Sequence, residues 1–169
     1  WYIERTNVGV LALATWEAGG YPIQEYSAEK GRGAKRRIGR ADLFILDNYG
    51  NTFDFEAKNV WIGIGKSKIA DRLAKKVISQ FRRAVKDLND LEDKSNVSVA
   101  LVFVIPYFSL AHKEDHKSIN SFRNAICDRK STNFDFCAMH FCSRRIWTKL
   151  PEKDEKLYYP SISAVGKYI

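Results

Sequence analysis

The sequence predicts an α/β domain with a mixed central sheet and helices on both faces. Three observations carry that reading. At 100° per residue, Ile69, Leu73, Val77, Phe81, Ala84, Leu88 and Leu91 form one apolar stripe, so residues 67–91 are expected to be a helix. Residues 41–46 and 52–57 alternate in apolar character around Asp47-Asn48-Tyr49-Gly50-Asn51, a cluster of turn formers, which is the pattern of a β-hairpin. Residues 96–106, NVSVALVFVIP, are a nearly unbroken apolar run rich in β-branched side chains, suited to a central strand covered on both faces. The 169 residues fall within single-domain range, and 45% hydrophobic with 13% aromatic residues argues for a folded chain rather than a disordered one. One domain over residues 1–169 is expected, with its core at about 4–106 and an elaboration at 107–169.

Residues 1–18 open the chain as a helix. Val8, Leu11, Ala12 and Trp16 recur at helical spacing with Thr15 beside them, and Gly19-Gly20 stops the run. Residues 21–27 (YPIQEYS) are expected as the first strand, with Tyr21, Ile23 and Glu25 alternating. Residues 30–40, KGRGAKRRIGR, hold six Lys or Arg among eleven and no acid, and Gly31, Gly33 and Gly39 make a flexible basic loop. After the hairpin, Gly65-Lys66-Ser67 invites a P-loop reading, but the Gly that such a loop needs falls at Val60, so nucleotide hydrolysis of that kind is excluded. Gln80 lies inside the stripe of the long helix, where a side chain turned to the core needs hydrogen-bond partners.

A shorter helix is expected at 115–128 and a strand at 133–142. Cys137, His140 and Cys142 are close together there, with Cys127, His112 and His116 nearby. His112 and His116 have helical ligand spacing, but there is no C-x2-C pair, and Cys137 and Cys142 would point to opposite strand faces. Buried structural cysteines are the better reading. Tyr158-Tyr159-Pro160 and the final SISAVGKYI suggest an ordered tail or a short strand.

The hairpin carries the chemistry. With its turn centred on Tyr49, Asp42 falls opposite Glu56 and Arg40 opposite Lys58. One face then holds Ala41, Leu43, Ile45, Phe53, Phe55 and Ala57, all fit for a core. The other holds Arg40, Asp42, Glu56 and Lys58. Two carboxylates about 5 Å apart repel, and a divalent cation between them removes the penalty. Lys58, two residues past Glu56 on the same face, is close enough to hold or help activate a water. Metal-assisted hydrolysis of a phosphodiester is the chemistry this set suits.

At these residues the chain resembles the PD-(D/E)XK nuclease superfamily, with Asp42 as the motif Asp and Glu56-Ala57-Lys58 as E-x-K. Ala41 stands where many members have proline. The resemblance implies a restriction-endonuclease-like core of order α-β-β-β-α-β and a magnesium-dependent endonuclease, with manganese as a substitute. It implies metal binding by Asp42, Glu56 and the Ala57 carbonyl, and a water-directing role for Lys58. A Glu on the first helix often joins such a site, which points to Glu4 ahead of Glu17, while Glu25 is a further candidate. A Gln on the long helix often borders it, which points to Gln80, although Ala84 stands where an extended motif has Tyr.

The net charge of +8 and pI of about 9.4 call for an anionic partner. Nucleic acid and acidic membrane surfaces both qualify; nucleic acid is expected, DNA first, with Lys30, Arg32, Lys35, Arg36, Arg37 and Arg40 touching phosphates ahead of Asp42. No run reaches the eighteen or so apolar residues that span a bilayer, and no signal peptide is recognisable. The three cysteines fit a reducing, cytoplasmic interior better than a disulfide framework. The chain begins at Trp1 rather than Met, which leaves open whether residues precede it. A homodimer or a partner subunit is compatible with the reading. The rival functions are a nucleic-acid-binding module without catalysis and a subunit of a larger nucleoprotein complex.

Overall fold

The structure is a computed structural model, and it describes residues 2–64, 69–109, 116–128, 134–141, 147–149 and 156–169. Helix α1 (Tyr2–Glu17) leads into β1 (Tyr21–Lys30), a 3-10 turn (Gly33–Lys35), β2 (Arg37–Leu46) and β3 (Thr52–Gly63). Helix α2 (Ile69–Asn89) connects to β4 (Val97–Ser109), and α3 (His116–Cys127) follows. Strands β5 (Phe136–Phe141), β6 (Trp147–Lys149), β7 (Lys156–Tyr158) and β8 (Ser161–Tyr168) complete the described elements. The protein is therefore α/β, and residues 2–109 follow the expected order α-β-β-β-α-β. The mixed sheet has the strand order β1-β2-β3-β4-β7-β6, with β8 pairing with β4 and β5 off that path.

Two compact units divide the chain: Trp1–Lys58, Gln80–Leu101 and Gly166–Ile169 form one, Asn59–Ser79 and Val102–Val165 the other. The first holds the hairpin. Its turn is built by Asp47, whose Oδ1 accepts the Tyr49 and Asn51 amides at 2.9 and 2.8 Å while Oδ2 accepts Asn51 Nδ2 at 2.8 Å. Those bonds hold the Asp47 carboxyl below its ordinary pKa, the Asn51 side chain contributing most. Gly50 takes φ +87°, a conformation that L side chains rarely adopt. The turn sets the register: Leu46 pairs with Thr52, Ile45 with Phe53, Phe44 with Asp54 and Leu43 with Phe55. That is the expected register. Ala41, Leu43, Ile45 and Ala57 are buried on the apolar face, and Phe53 and Phe55 are half-buried with ring centroids 6.4 Å apart.

α1 packs on β1 and β2 through Val8 and Ala12, both buried. Trp16 departs from the expected stripe: it is 63% exposed and stacks edge-on against Tyr21, with centroids 6.1 Å apart. Helix α1 is apolar on several sides, so its periodicity did not single out one face. The α2 stripe matches the sequence reading, with Leu73, Val77, Phe81, Ala84 and Leu88 buried. In the second unit, Lys76 Nζ and Arg72 Nη2 tie α2 to the Trp61 and Gly63 carbonyls at 2.6 and 2.9 Å. Phe122, Ile126 and Val165 are buried there. Cys127 is exposed and Cys137 half-buried, so these two are not the buried cysteines expected, and His140 is exposed. Cys142, His112 and the Gly65-Lys66-Ser67 turn lie outside the described residues.

Candidate active site

Every residue of the site described here belongs to the first unit. Strand β2 supplies Asp42 and β3 supplies Glu56, Ala57 and Lys58. The β2–β3 pairing runs as far as Leu43 and Phe55, and one step further on the Asp42 side chain takes over: its Oδ2 accepts the Ala57 amide at 2.7 Å. This bond places Asp42 directly beside the E-x-K segment.

Glu56 is buried, at 2% exposure. Lys30 Nζ donates to its Oε1 at 2.7 Å, and Lys58 Nζ lies 3.5 Å from its Oε2. Burial pushes the Glu56 carboxyl up to about 7; the Asp42 charge adds to that, and Lys30 and Lys58 oppose it. Lys58 is also held by Asp87 Oδ2 at 3.0 Å. Burial lowers the Lys58 pKa, but the Asp42, Glu56 and Asp87 charges outweigh it and the net shift is upward. Lys58 therefore keeps its proton at neutral pH and acts as a cation and donor rather than as a base.

Glu4 joins the same environment. Burial raises its pKa, Asp42 raises it further, and Lys58 and Arg83 oppose. A cavity of about 170 Å³ is lined by Glu4, Arg5, Val8, Gln24, Glu25, Arg40 and Asp42. Glu25 falls between the Gln24–Leu43 and Tyr26–Ala41 pairs with φ +47°, an uncommon backbone for a non-glycine residue. Its carboxylate is held by Arg5, and by Arg40 at 3.3 Å. Glu25 thus reaches the cavity already paired with two cations.

Gln80 is half-buried and accepts from Arg83 Nη1 at 3.3 Å. Its link toward the site is Arg83, whose charge opposes the rise in the Glu4 pKa. Arg83 and Asp87 were missed as site residues, although Gln80, Arg83 and Asp87 at i, i+3 and i+7 mark one helix face. Lys30 is placed apart from the exposed cations it was grouped with: it is 8% exposed, and Glu56 holds it. Below the site, buried Asp54 accepts the Tyr26 hydroxyl at 2.6 Å and the Ser95 amide at 2.7 Å. Burial and that carboxylate push the Tyr26 pKa well up.

Among the described residues no group of three His, Cys, Asp or Glu side chains forms a ready-made metal cluster. The donors are nevertheless of the kind magnesium takes: carboxylate oxygens and a backbone carbonyl, with further positions left to water and phosphate. Burial first, and the Asp42 charge after it, make Glu4 and Glu56 harder to ionise, a cost that a cation would offset. Both Glu56 oxygens lie against lysines, so a cation there would share an oxygen with a lysine or displace it. On donor chemistry the residues fit a hard divalent ion.

Compared with protein-family models, with curated proteins and with solved structures, the chain matches none.

Proposed function

We propose that the protein is a metal-dependent nuclease that hydrolyses phosphodiester bonds in DNA, with the restriction-endonuclease-like core that its hairpin resembles. The observation that carries this reading is the convergence of Glu4, Asp42, Glu56 and Lys58, with the Asp42 side chain bonded to the E-x-K backbone. Asp42, Glu56 and the Ala57 carbonyl would hold magnesium, or manganese in its place. When bound, such a cation would supply positive charge where the transition state gathers negative charge on phosphate oxygens. Lys58, fixed between Glu56 and Asp87, directs the attacking water by hydrogen bonding and adds a second positive charge. Glu4 faces the same space from α1, and Gln80 steers Arg83 beside it.

The test is incubation of the protein with plasmid, linear duplex, single-stranded DNA and RNA, with magnesium or with EDTA. Wild type should cut in magnesium alone. Asp42→Ala, Glu56→Ala and Lys58→Ala should each lose about 10²-fold or more in rate while remaining folded, the scale seen when one transition-state contact is removed. A wild-type protein that cuts none of these substrates in any divalent metal would end the enzyme reading. Asp42→Ala cutting at the wild-type rate would place the site elsewhere. Salt-sensitive DNA binding without cleavage would favour a binding module instead.

A further inference from the structure

The six cations of residues 30–40 are not equivalent in the folded chain. Lys30 is buried on Glu56. Arg36 is held by Glu92 and lies 4.0 Å from Glu29. Arg40 is taken by Glu25. The other three, Arg32, Lys35 and Arg37, are exposed and line a second cavity, of about 560 Å³, together with Gly31, Asn89 and Asp90. Asp90 is the acid of that lining, so three cations face one carboxylate.

The cavity is built on an ordered turn rather than on the flexible loop expected from its glycines. The Gly31 amide donates to the Asp90 carbonyl at 2.7 Å, and the Glu92 amide to the Glu29 carbonyl at 3.0 Å. Lys30 bridges to Leu91 beside them. Inside the turn, the Lys35 amide donates to the Arg32 carbonyl at 3.2 Å and the Arg36 amide to Gly33 at 3.1 Å. Gly31 has φ +90°, and a Cβ there would stand 2.4 Å from the Lys35 carbonyl oxygen. The turn is thus stapled to the end of α2 by its backbone and by Arg36. Its three remaining cations are held near one another before any ligand arrives, which lowers the ordering cost of binding.

We propose that Arg32, Lys35 and Arg37 form a phosphate-anchoring pocket for the backbone of a nucleic acid, separate from the cavity at Asp42. This inference rests on the nuclease reading for its substrate class. Arg37 and Asp42 both lie on β2, five residues apart, so about 17 Å of strand separates them at ~3.4 Å per residue. The odd separation puts the two side chains on opposite faces of β2, so the pocket and the Asp42 cavity are distinct places on the strand. Phosphate contacts set register and carry no sequence information directly.

Binding of fluorescein-labelled duplex and single-stranded oligonucleotides, in EDTA across a salt series, tests the pocket without requiring catalysis. The variant is Arg32→Ala/Lys35→Ala/Arg37→Ala, and the charge-matched control is Lys75→Ala/Arg82→Ala/Lys86→Ala on exposed positions of α2. The pocket variant should weaken duplex binding about tenfold or more, and flatten the slope of log affinity against log salt by roughly 0.9 per lost contact. The control should change the slope by less than one such contact. Equal slopes in wild type and pocket variant, or equal losses in pocket variant and control, would overturn the proposal. So would binding to anionic phosphatidylserine vesicles with none to nucleic acid. If the pocket variant loses affinity while no protein cuts DNA in magnesium, the pocket stands and the nuclease reading falls. If wild type cuts and the pocket variant cuts with unchanged KM, the nuclease reading stands and the pocket falls.

Discussion

Replacing Glu56 with Gln removes a buried acid and keeps its shape. Burial and the Asp42 charge move this carboxyl from an ordinary 4.5 to about 7 in the folded chain. A folded pKa above the unfolded one means that the folded state holds the proton more tightly. Below about 4.5 both states are protonated, and the acid behaves much like the amide. As pH rises from 4.5 to about 7, the unfolded chain releases its proton and the folded chain keeps it, so stability falls. Above 7 both states are ionised and the loss is complete. At about 1.4 kcal/mol per pKa unit, the shift corresponds to about 3 kcal/mol. Wild type should therefore lose about 3 kcal/mol relative to Glu56→Gln across that window. Contributions from groups elsewhere cancel to first order when the two proteins are subtracted at each pH. Urea denaturation of both proteins in EDTA, at a series of pH values from below 4.5 to well above 7, measures the difference. A difference that stays flat with pH, or that favours wild type as pH rises, would refute the claim that Glu56 is strained by burial beside Asp42.

Three further outcomes are expected. Lys30→Met leaves the buried Glu56 without its shortest contact and should cost about 3–5 kcal/mol above pH 7, shrinking below 4.5 where the acid is neutral; urea titration at the two pH values checks it. Magnesium and manganese should support cleavage and EDTA should abolish it, while calcium, which takes more ligands at longer distance, should support binding without cutting; full activity in excess EDTA rules out the mechanism. Gly31→Ala, forced against the Lys35 carbonyl at positive φ, should destabilise by more than about 1 kcal/mol and open the basic turn to proteases, whereas Gly33→Ala, with nothing within 4 Å of its added Cβ, meets strain without a clash and should cost less.

The sequence by itself determined the parts that depend on neighbours along the chain. The Asp47–Asn51 turn carries its own hydrogen bonds, and a turn of known length admits one register, so the pairing of Leu43 with Phe55 was legible. The α2 stripe was legible because a strongly basic opposite face left no doubt which side is apolar. α1 lacked that contrast, and the exposure of Trp16 was settled only by which side β1 and β2 cover. Strands β1 and β3 run further than the local pattern indicated, to Lys30 and Gly63, because pairing partners extend a strand beyond what alternation signals. The charges around Glu56 were decided by tertiary structure alone. Lys30 is 26 residues away from it in sequence, and nothing in a run of six cations distinguishes the one that folds inward. Asp87 reaches Lys58 from α2, and Arg36 finds Glu92 beyond the end of that helix. A charge looks the same in sequence whether water or a buried carboxylate will surround it. Only packing removes the water, and with it comes the difference between a cation that supports the site and one left open to bind phosphate.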